Sequence, residues 1–307
     1  MESLTNFALK EKYSKVKKLR DRLEKMKSLI DWNAFLKLFP KKDNLVGRPN
    51  YEKILMIKTL FLQGCYSMSD EETEYQCYNR LDFQQFLDFP NFIPDYSTIW
   101  RFREELAEGD IFDKIWEELQ NQIKEKNIVV EKGVIQDATF IEADPGKTNS
   151  GMKDRGRLAK TSRSKDGSWT KKGKKSYFGF KAHTKVRRGS KLIEDFAVTT
   201  AKTHDGKIDL ANQDEIVYRD RGYSGTGTKA KGDATMKRGN LTPKEKLRNL
   251  RIMKKRSVGE HPYGIIDRCF HGGTTKLTTT YRVFIQTGFV FMAYNVFRLA
   301  FLVGKQV

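Results

Sequence analysis

Two carboxylates fall where a folded chain does not ordinarily leave a charge, and a third follows them. In "GVIQDATFIEA", residues 133–143, Asp137 interrupts a run whose Val134, Ile135, Phe140 and Ile141 call for a buried strand. An unpaired ionised Asp among them would be strongly destabilising, so something must balance its charge. A second apolar run, 215–219, ends at Asp220 and passes into the glycine turn of "RDRGYSG". A third acid, Glu260 in "KKRSVGEHPYGIIDR", has Arg256 four residues before it and Asp267 seven after, all on one face if the segment is helical, although Gly259, Pro262 and Gly264 weaken a helix there. In a mixed sheet, an Asp within one strand and another at the carboxyl end of a neighbouring strand can converge until only a divalent cation relieves their repulsion. Three hard oxygen donors from separate elements suit Mg²⁺, which keeps several waters and binds phosphate oxygens. Two such ions are a recurring device for in-line phosphoryl displacement.

These acids need a sheet, and the sequence supplies one after residue 133. The period-two runs 133–143, 176–186, 191–201 and 215–220 read as strands, and the chain from 243 onward reads as helix. Before residue 128 the period is helical. Val16, Leu19, Leu23, Met26 and Ile30 form a stripe within 8–39, fit for core packing or a dimer seam. After the turn "PKKDNLVGRPN" come a helix over 51–63 and one capped by Ser69, with Glu72 as its capping-box partner. Ser97 is the expected cap of a further helix running toward 125, with Arg101 and Arg103 exposed near its start. Such short helices fit either a helix-turn-helix-like reader of DNA or a plain bundle. The reading is an all-α region over 1–128, then an α/β domain over 129–307 with a basic Gly, Ser and Lys-rich loop at 145–176.

The chain has 58 Lys plus Arg against 39 Asp plus Glu, a formal charge of +19, which points to a polyanionic partner. The charge is segregated: windows 145–191, 229–256 and 10–27 carry +14, +9 and +6, leaving −10 for the remainder. Separate positive tracts can follow separate stretches of phosphate backbone. Cys65, Cys77 and Cys269 have neither CxxC spacing nor an even count, so they fit a reducing cytosol better than a disulfide or structural zinc framework. The most apolar stretch, 283–304, is broken by Gln286, Asn295 and Arg298 and reads as a buried C-terminal helix rather than a membrane span.

The ordered set "SMSDEETEYQCYNRLDFQQFLDF", "PDYSTIWRFREEL", "DATFIEA", "SWTKKGKKSYFGFKAHTKV", "VTTAKTHD", "VYRDRGYSG" and "RSVGEHPYG" resembles bacterial insertion-sequence transposases of the DDE type, in the insertion-sequence-five group of the wider insertion-sequence-four superfamily. The likeness covers nearly the whole length. It implies a ribonuclease-H-like mixed sheet with flanking helices behind the helical N-terminal region, and Asp137, Asp220 and Glu260 as catalytic, metal-holding triad. It also implies two Mg²⁺ ions, with Mn²⁺ able to substitute, and double-stranded DNA, both transposon ends and target, as partner. The activity implied is cleavage and strand transfer at terminal inverted repeats, by a homodimer or larger assembly in the bacterial cytoplasm, on the nucleoid, without a membrane. A metal-dependent nuclease that does not join strands, and an inactive DNA-binding remnant, are the alternatives. With 83 residues from Asp137 to Asp220 and 40 from Asp220 to Glu260, no large insertion domain fits between the last two acids, and the segment from "THD" to Asp220 leaves room for little more than a turn or two of helix.

Relatives in the superfamily carry a Tyr-Arg-Glu-Lys signature around the last acid. Here Arg256 and Glu260 match, but Met253 stands at the Tyr position and Asp267 at the Lys position, so either Arg268 replaces the phosphate-contacting Lys or that helix face binds DNA more weakly, and Asp267 is an alternative metal ligand. The candidate DNA contacts are Arg101, Arg103, Lys171, Lys172, Lys174, Lys175, Lys181, Arg256 and Arg268, with Thr98 beside Arg101 and Arg103 for base edges. Trp169 is a candidate for stacking on an unpaired base or for anchoring the loop. His183 and His204 read as structural histidines, Asp205 as orienting a core loop or supporting the site, and Glu142 and Asp144 as a solvated strand end in preference to a substitute metal ligand. Gly222 and Gly225 read as turn residues, not a phosphate-cradling loop. If the basic tract carries binding energy, DNA affinity falls steeply with salt. Neutralising Lys171, Lys172, Lys174 and Lys175 then lowers the slope of log affinity against log salt by roughly 0.9 per lost phosphate contact, read by fluorescence anisotropy; an unchanged slope means the tract is only solvated.

Overall fold

The computed structural model of the chain describes residues 4–19, 21–40, 50–108, 110–128, 133–146 and 166–304. Two compact units emerge. One gathers the chain up to Asn127 together with the residues from Phe289 on, and the other is Ile128–Gly288.

The first unit is helical: α1 (Leu4–Lys18), α2 (Arg22–Ser28), a 3₁₀ segment Trp32–Leu38, α3 (Lys53–Tyr66), α4 (Asp70–Asn79), α5 (Leu81–Phe86), α6 (Tyr96–Glu108) and α7 (Ile111–Glu125). The stripe predicted over 8–39 is not one helix. Asp21 accepts from Leu23 N at 2.8 Å and starts α2 afresh, leaving Leu19 82% exposed while Leu23, Met26 and Ile30 are buried in this unit's core. Phe61 stacks on Phe86 at 5.4 Å, and Trp32 meets both edge-on. The helix predicted to run toward 125 likewise ends at Glu108, and α7 begins after Asp110, which has a left-handed φ of 51°. Its start is set by Asp95, whose carboxylate accepts from Thr98 N at 2.9 Å and from the Thr98 and Ser97 hydroxyls; Asp95, not Ser97, is the cap. Ser69 does accept from Glu72 N at 3.1 Å, but the Glu72 carboxylate goes to Gln76, so that capping box is half formed. The turn predicted at 40–50 falls almost wholly outside the described residues.

The second unit holds, among the described residues, a seven-stranded mixed sheet. Its strands are β1 (Val134–Ala143), β2 (Ser168–Lys172), β3 (Lys175–Arg187), β4 (Ile193–Thr200), β5 (Ile216–Arg219), β6 (Gly232–Thr235) and β7 (Thr274–Thr275). The spatial order is β2-β3-β1-β5-β6, with β4 also on β3 and β7 on β1. β1 lies between antiparallel β3 and parallel β5. Helices α8 (Pro243–Arg256) and α9 (Glu260–Phe270) follow, joined by a 3₁₀ turn, Ser257–Gly259. Thr242 closes a full capping box with Glu245 at the start of α8.

The four predicted strands are present, and three more accompany them. Residues 168–172, which the sequence reading places in the basic loop, pair with β3 as a hairpin turning at Gly173, φ +61°. β6 and β7 are too short to show an apolar period, and β6 sits inside a basic window. The rest of the predicted loop, 147–165, lies outside the described residues. Between "THD" and Asp220 the helical content is one 3₁₀ turn, Asp205–Lys207.

The last element, α10 (Thr280–Val303), is long and apolar enough to cross a membrane, but 78% of its most apolar window is buried within the protein. Near its middle, a Cβ added to Gly64 of α3 would lie 2.8 Å from the Phe289 backbone, so that glycine allows the two helices to touch.

Candidate active site

The register of β1 against β5 brings the first two acids together. Val134 pairs with Val217 and Ile135 with Tyr218. The same offset carried two residues further points Asp137 toward the end of β5, where Asp220 stands. Asp220 follows the last residue of β5 and is fixed by its own turn, accepting from Gly222 N at 2.7 Å. A Cβ added at Gly222 would lie 2.9 Å from Asp220 Oδ1 and 3.7 Å from Asp205 Oδ2, so a fourth carboxylate approaches the same corner.

Glu260 arrives from the other side. Its helix can lie close on β1 because residue 259 is glycine: an added Cβ would stand 2.6 Å from Ile135 Cγ2. Ile135 and Asp137 share a face of β1, so this close approach delivers the first turn of α9 to the face that bears Asp137. Asp137, Asp220 and Glu260 line one cavity of about 520 Å³, together with Arg256, Tyr263, Lys181 and Asp205.

Arg256 balances the charge in the central strand: its Nη2 donates to Asp137 Oδ2 at 2.7 Å. Burial raises the Asp137 carboxyl above its ordinary range, although Arg256 and the Ala138 N–H both pull it down. Among the described residues no three His, Cys, Asp or Glu side chains are gathered closely enough to ligate one ion. The donor chemistry nevertheless fits a hard divalent cation, since three carboxylates open onto one cavity. Asp137 is engaged by Arg256.

The other predicted residues divide sharply. Lys171 and Lys172 are exposed and line the same cavity, and Lys174 and Lys175 are exposed at the hairpin end. Lys181 corrects the expectation of a free DNA contact: it is 8% exposed, and its Nζ donates to Asp205 Oδ1 at 2.8 Å and Thr203 O at 2.7 Å. Arg103 is corrected too. It is buried at 4% and donates to Gln63 and the Asp70 carboxylate, so it joins α6 to α3 and α4 instead of facing a groove. Arg101 is exposed, with its guanidinium on Ser97 Oγ at 2.8 Å. Arg268 is exposed on α9 but does not line the cavity. Asp267, the alternative ligand, stands beside Gly273 and also lies outside the cavity lining. Trp169 is 54% exposed and tilts on Phe178 at 5.3 Å. His204 caps the turn that follows it, accepting from Gly206 N at 3.1 Å.

The sequence reading missed Thr184 and Tyr263. Their hydroxyls meet at 2.5 Å, and Thr184 is the cross-strand partner of Asp137. The clue available was parity: once Asp137 is assigned to a strand, the facing residue of the next strand shares its face.

An acid in the central strand, a second just after its parallel neighbour and a third at the start of the following helix open onto one cavity of a ribonuclease-H-like fold. In comparison with known families, residues 130–296 match the Transposase DDE domain and residues 11–105 the Transposase domain (DUF772). The chain belongs to the DDE transposases, and the two domains together are typical of insertion-sequence-four and -five types. No solved structure matches it. Such transposases generally use divalent metal ions and act on DNA.

His183 shows a separate electrostatic cost. It is fully buried on β3, with Nε2 on Thr199 Oγ1 at 2.9 Å, and burial depresses its pKa to about 4. A folded-state pKa below the unfolded value of roughly 6.5 means that the unfolded chain takes up the proton first, so stability is lost as pH falls through that window. Chemical denaturation at pH 7 and pH 4.5 should show an acid-dependent loss approaching 1.4 kcal/mol per pH unit from this group, absent in His183→Gln. Equal pH dependence in both proteins would contradict it.

Proposed function

We propose that the protein binds the terminal inverted repeats of an insertion sequence and catalyses cleavage and strand transfer of DNA at Asp137, Asp220 and Glu260. The observation that supports this reading is the single cavity that Asp137, Asp220 and Glu260 line, at the ends of elements the β1–β5 pairing brings together. In this reading Asp137, Asp220 and Glu260 would hold two Mg²⁺ ions, with Mn²⁺ able to substitute, which would supply activation of the attacking oxygen and stabilisation of the leaving one.

The chain's own groups supply the remainder. Arg256, when it leaves Asp137, is a bidentate cation at the cavity with the geometry to grip a phosphate. Lys171 and Lys172 on the hairpin rim carry the DNA backbone toward the acids, and Lys174, Lys175 and Arg268 extend that contact. The Lys181–Asp205 pair steadies the "THD" corner next to Asp220. Specific reading of the ends falls to the helical N-terminal unit, with Thr98 and Arg101 of α6 as candidate base contacts. The Thr98 hydroxyl already serves the Asp95 cap, which leaves Arg101 the stronger of the two. Both ends are cut in one event and one acidic centre serves one end at a time, so at least two chains assemble on DNA, in the bacterial cytoplasm and on the nucleoid. Leu23, Met26 and Ile30 are already used in their own unit's core, so they are poor candidates for a seam between chains.

The test uses full-length protein, Mg²⁺ and end-containing DNA. Joined products are expected from the unaltered chain. Asp137→Asn, Asp220→Asn and Glu260→Gln should each abolish cutting and joining while leaving gel-shift affinity within about threefold, because phosphate contacts come from other residues. Cleavage without joining would favour the nuclease reading. Retained cleavage by Asp220→Asn would overturn the triad.

A further inference from the structure

Tyr263 lies three residues after Glu260, one turn along the same face of α9. Four features of the segment 256–263, from the end of α8 into α9, meet one face of the β1–β3 pair. Arg256, just before, donates to Asp137; Gly259 is in close approach to Ile135; Glu260 lines the cavity with Asp137; and the Tyr263 hydroxyl meets Thr184 Oγ1 at 2.5 Å. Thr184 is fully buried and stands directly across from Asp137 in the antiparallel register, so the hydroxyl pair ties α9 to the sheet in the row that bears the acid. Asp220 takes its position from the β5 turn and Asp137 from β1, but Glu260 depends on how α9 is seated. Gly259 sets how closely the helix approaches and does not fix its rotation. An apolar contact leaves a helix free to roll, whereas a short hydroxyl bond one turn along resists it.

We propose that Tyr263 is a positioning residue: its bond to Thr184 fixes the roll of α9 over β1 and thereby the placing of Glu260 relative to Asp137. This rests on the reading of the three acids given above. It also gives the segment an aromatic hydroxyl where the superfamily's Tyr position holds Met253, which is 47% exposed.

The experiment compares full-length Tyr263→Phe, Thr184→Val, their double, Thr184→Ser and Glu260→Gln, by Mn²⁺ affinity without DNA and by kcat and KM for end cleavage. Tyr263→Phe and Thr184→Val should each weaken Mn²⁺ affinity and lower kcat about tenfold, the usual cost of losing a group that orients a ligand. KM for DNA should stay within about twofold, and the double should be no worse than either single, since both lose the same bond. Thr184→Ser, which keeps the hydroxyl, should restore the unaltered values, a rescue that a role in packing alone would not give. Losses that multiply in the double, or Mn²⁺ affinity unchanged in Tyr263→Phe, would overturn the proposal; a Thr184→Val chain that failed to fold would leave the Tyr263→Phe and Thr184→Ser comparison to decide it. If Glu260→Gln is inactive while Tyr263→Phe is unaffected, only the positioning role falls. If Glu260→Gln keeps both Mn²⁺ affinity and cleavage, the triad reading falls and the positioning role with it.

Discussion

The bond from Arg256 to Asp137 at 2.7 Å is the interaction on which the second unit's arrangement turns. A carboxylate in the central strand, among buried apolar neighbours, cannot stay ionised without a partner, and removing one member of such a pair costs several times what an exposed pair would. Burial still holds the Asp137 carboxyl above its ordinary range with the guanidinium in place, so the balance is partial. A site of this kind accepts a cation readily. It carries one from its own chain, and the same carboxylate is then available to a harder, more highly charged ion if the arginine finds another anion. On the reading proposed above, a DNA phosphate would be such an anion, and substrate binding would then be linked to metal binding.

The rest of the unit places groups around that charge. Parallel pairing of β1 with β5 brings Asp220 alongside; the Gly222 amide holds its carboxylate; and the small residue at 259 brings α9 down to the strand. Each device is local and inexpensive: a register, a turn amide, a missing Cβ. The Lys181–Asp205 and Arg103–Asp70 pairs show where buried charge is spent on architecture instead. Sequence assigns Arg103 to DNA as an arginine expected to be exposed near a helix start, and burial against Asp70 removes that premise.

Much of the fold was legible because its signals are periodic. Strands β1, β3, β4 and β5 each carry enough apolar or alternating residues to be recognised; Asp137 and Asp220 stand out as charges in apolar runs, whereas Glu260, which is exposed, is legible from its spacing to Arg256 and the family likeness. β6 and β7 have four and two residues, too few for a period, and β2 is mostly Lys and Thr, so its strand character comes from pairing with β3 and not from its own composition. The break at residues 19–21 was hidden because apolar spacing continues across it, with Leu19 in phase yet exposed. The burial of Arg103 was illegible for a similar reason. Its partner Asp70 is 33 residues away, and nothing in a linear pattern reports an ion pair between two helices. Thr184 and Tyr263 are 79 residues apart, and their meeting depends on how α9 lies on the sheet.

The central claim is that Asp137, Asp220 and Glu260 form one cation-binding centre whose resident counter-ion is Arg256. The most direct measurement is Mn²⁺ titration of full-length protein without DNA, followed by paramagnetic resonance of the free ion, for the unaltered chain, Asp137→Asn, Asp220→Asn and Arg256→Met. Saturable binding is expected in the unaltered chain, weakened by about a hundredfold in either Asp variant and strengthened in Arg256→Met, where the competing cation is gone. Equal affinity in all four proteins would contradict the account.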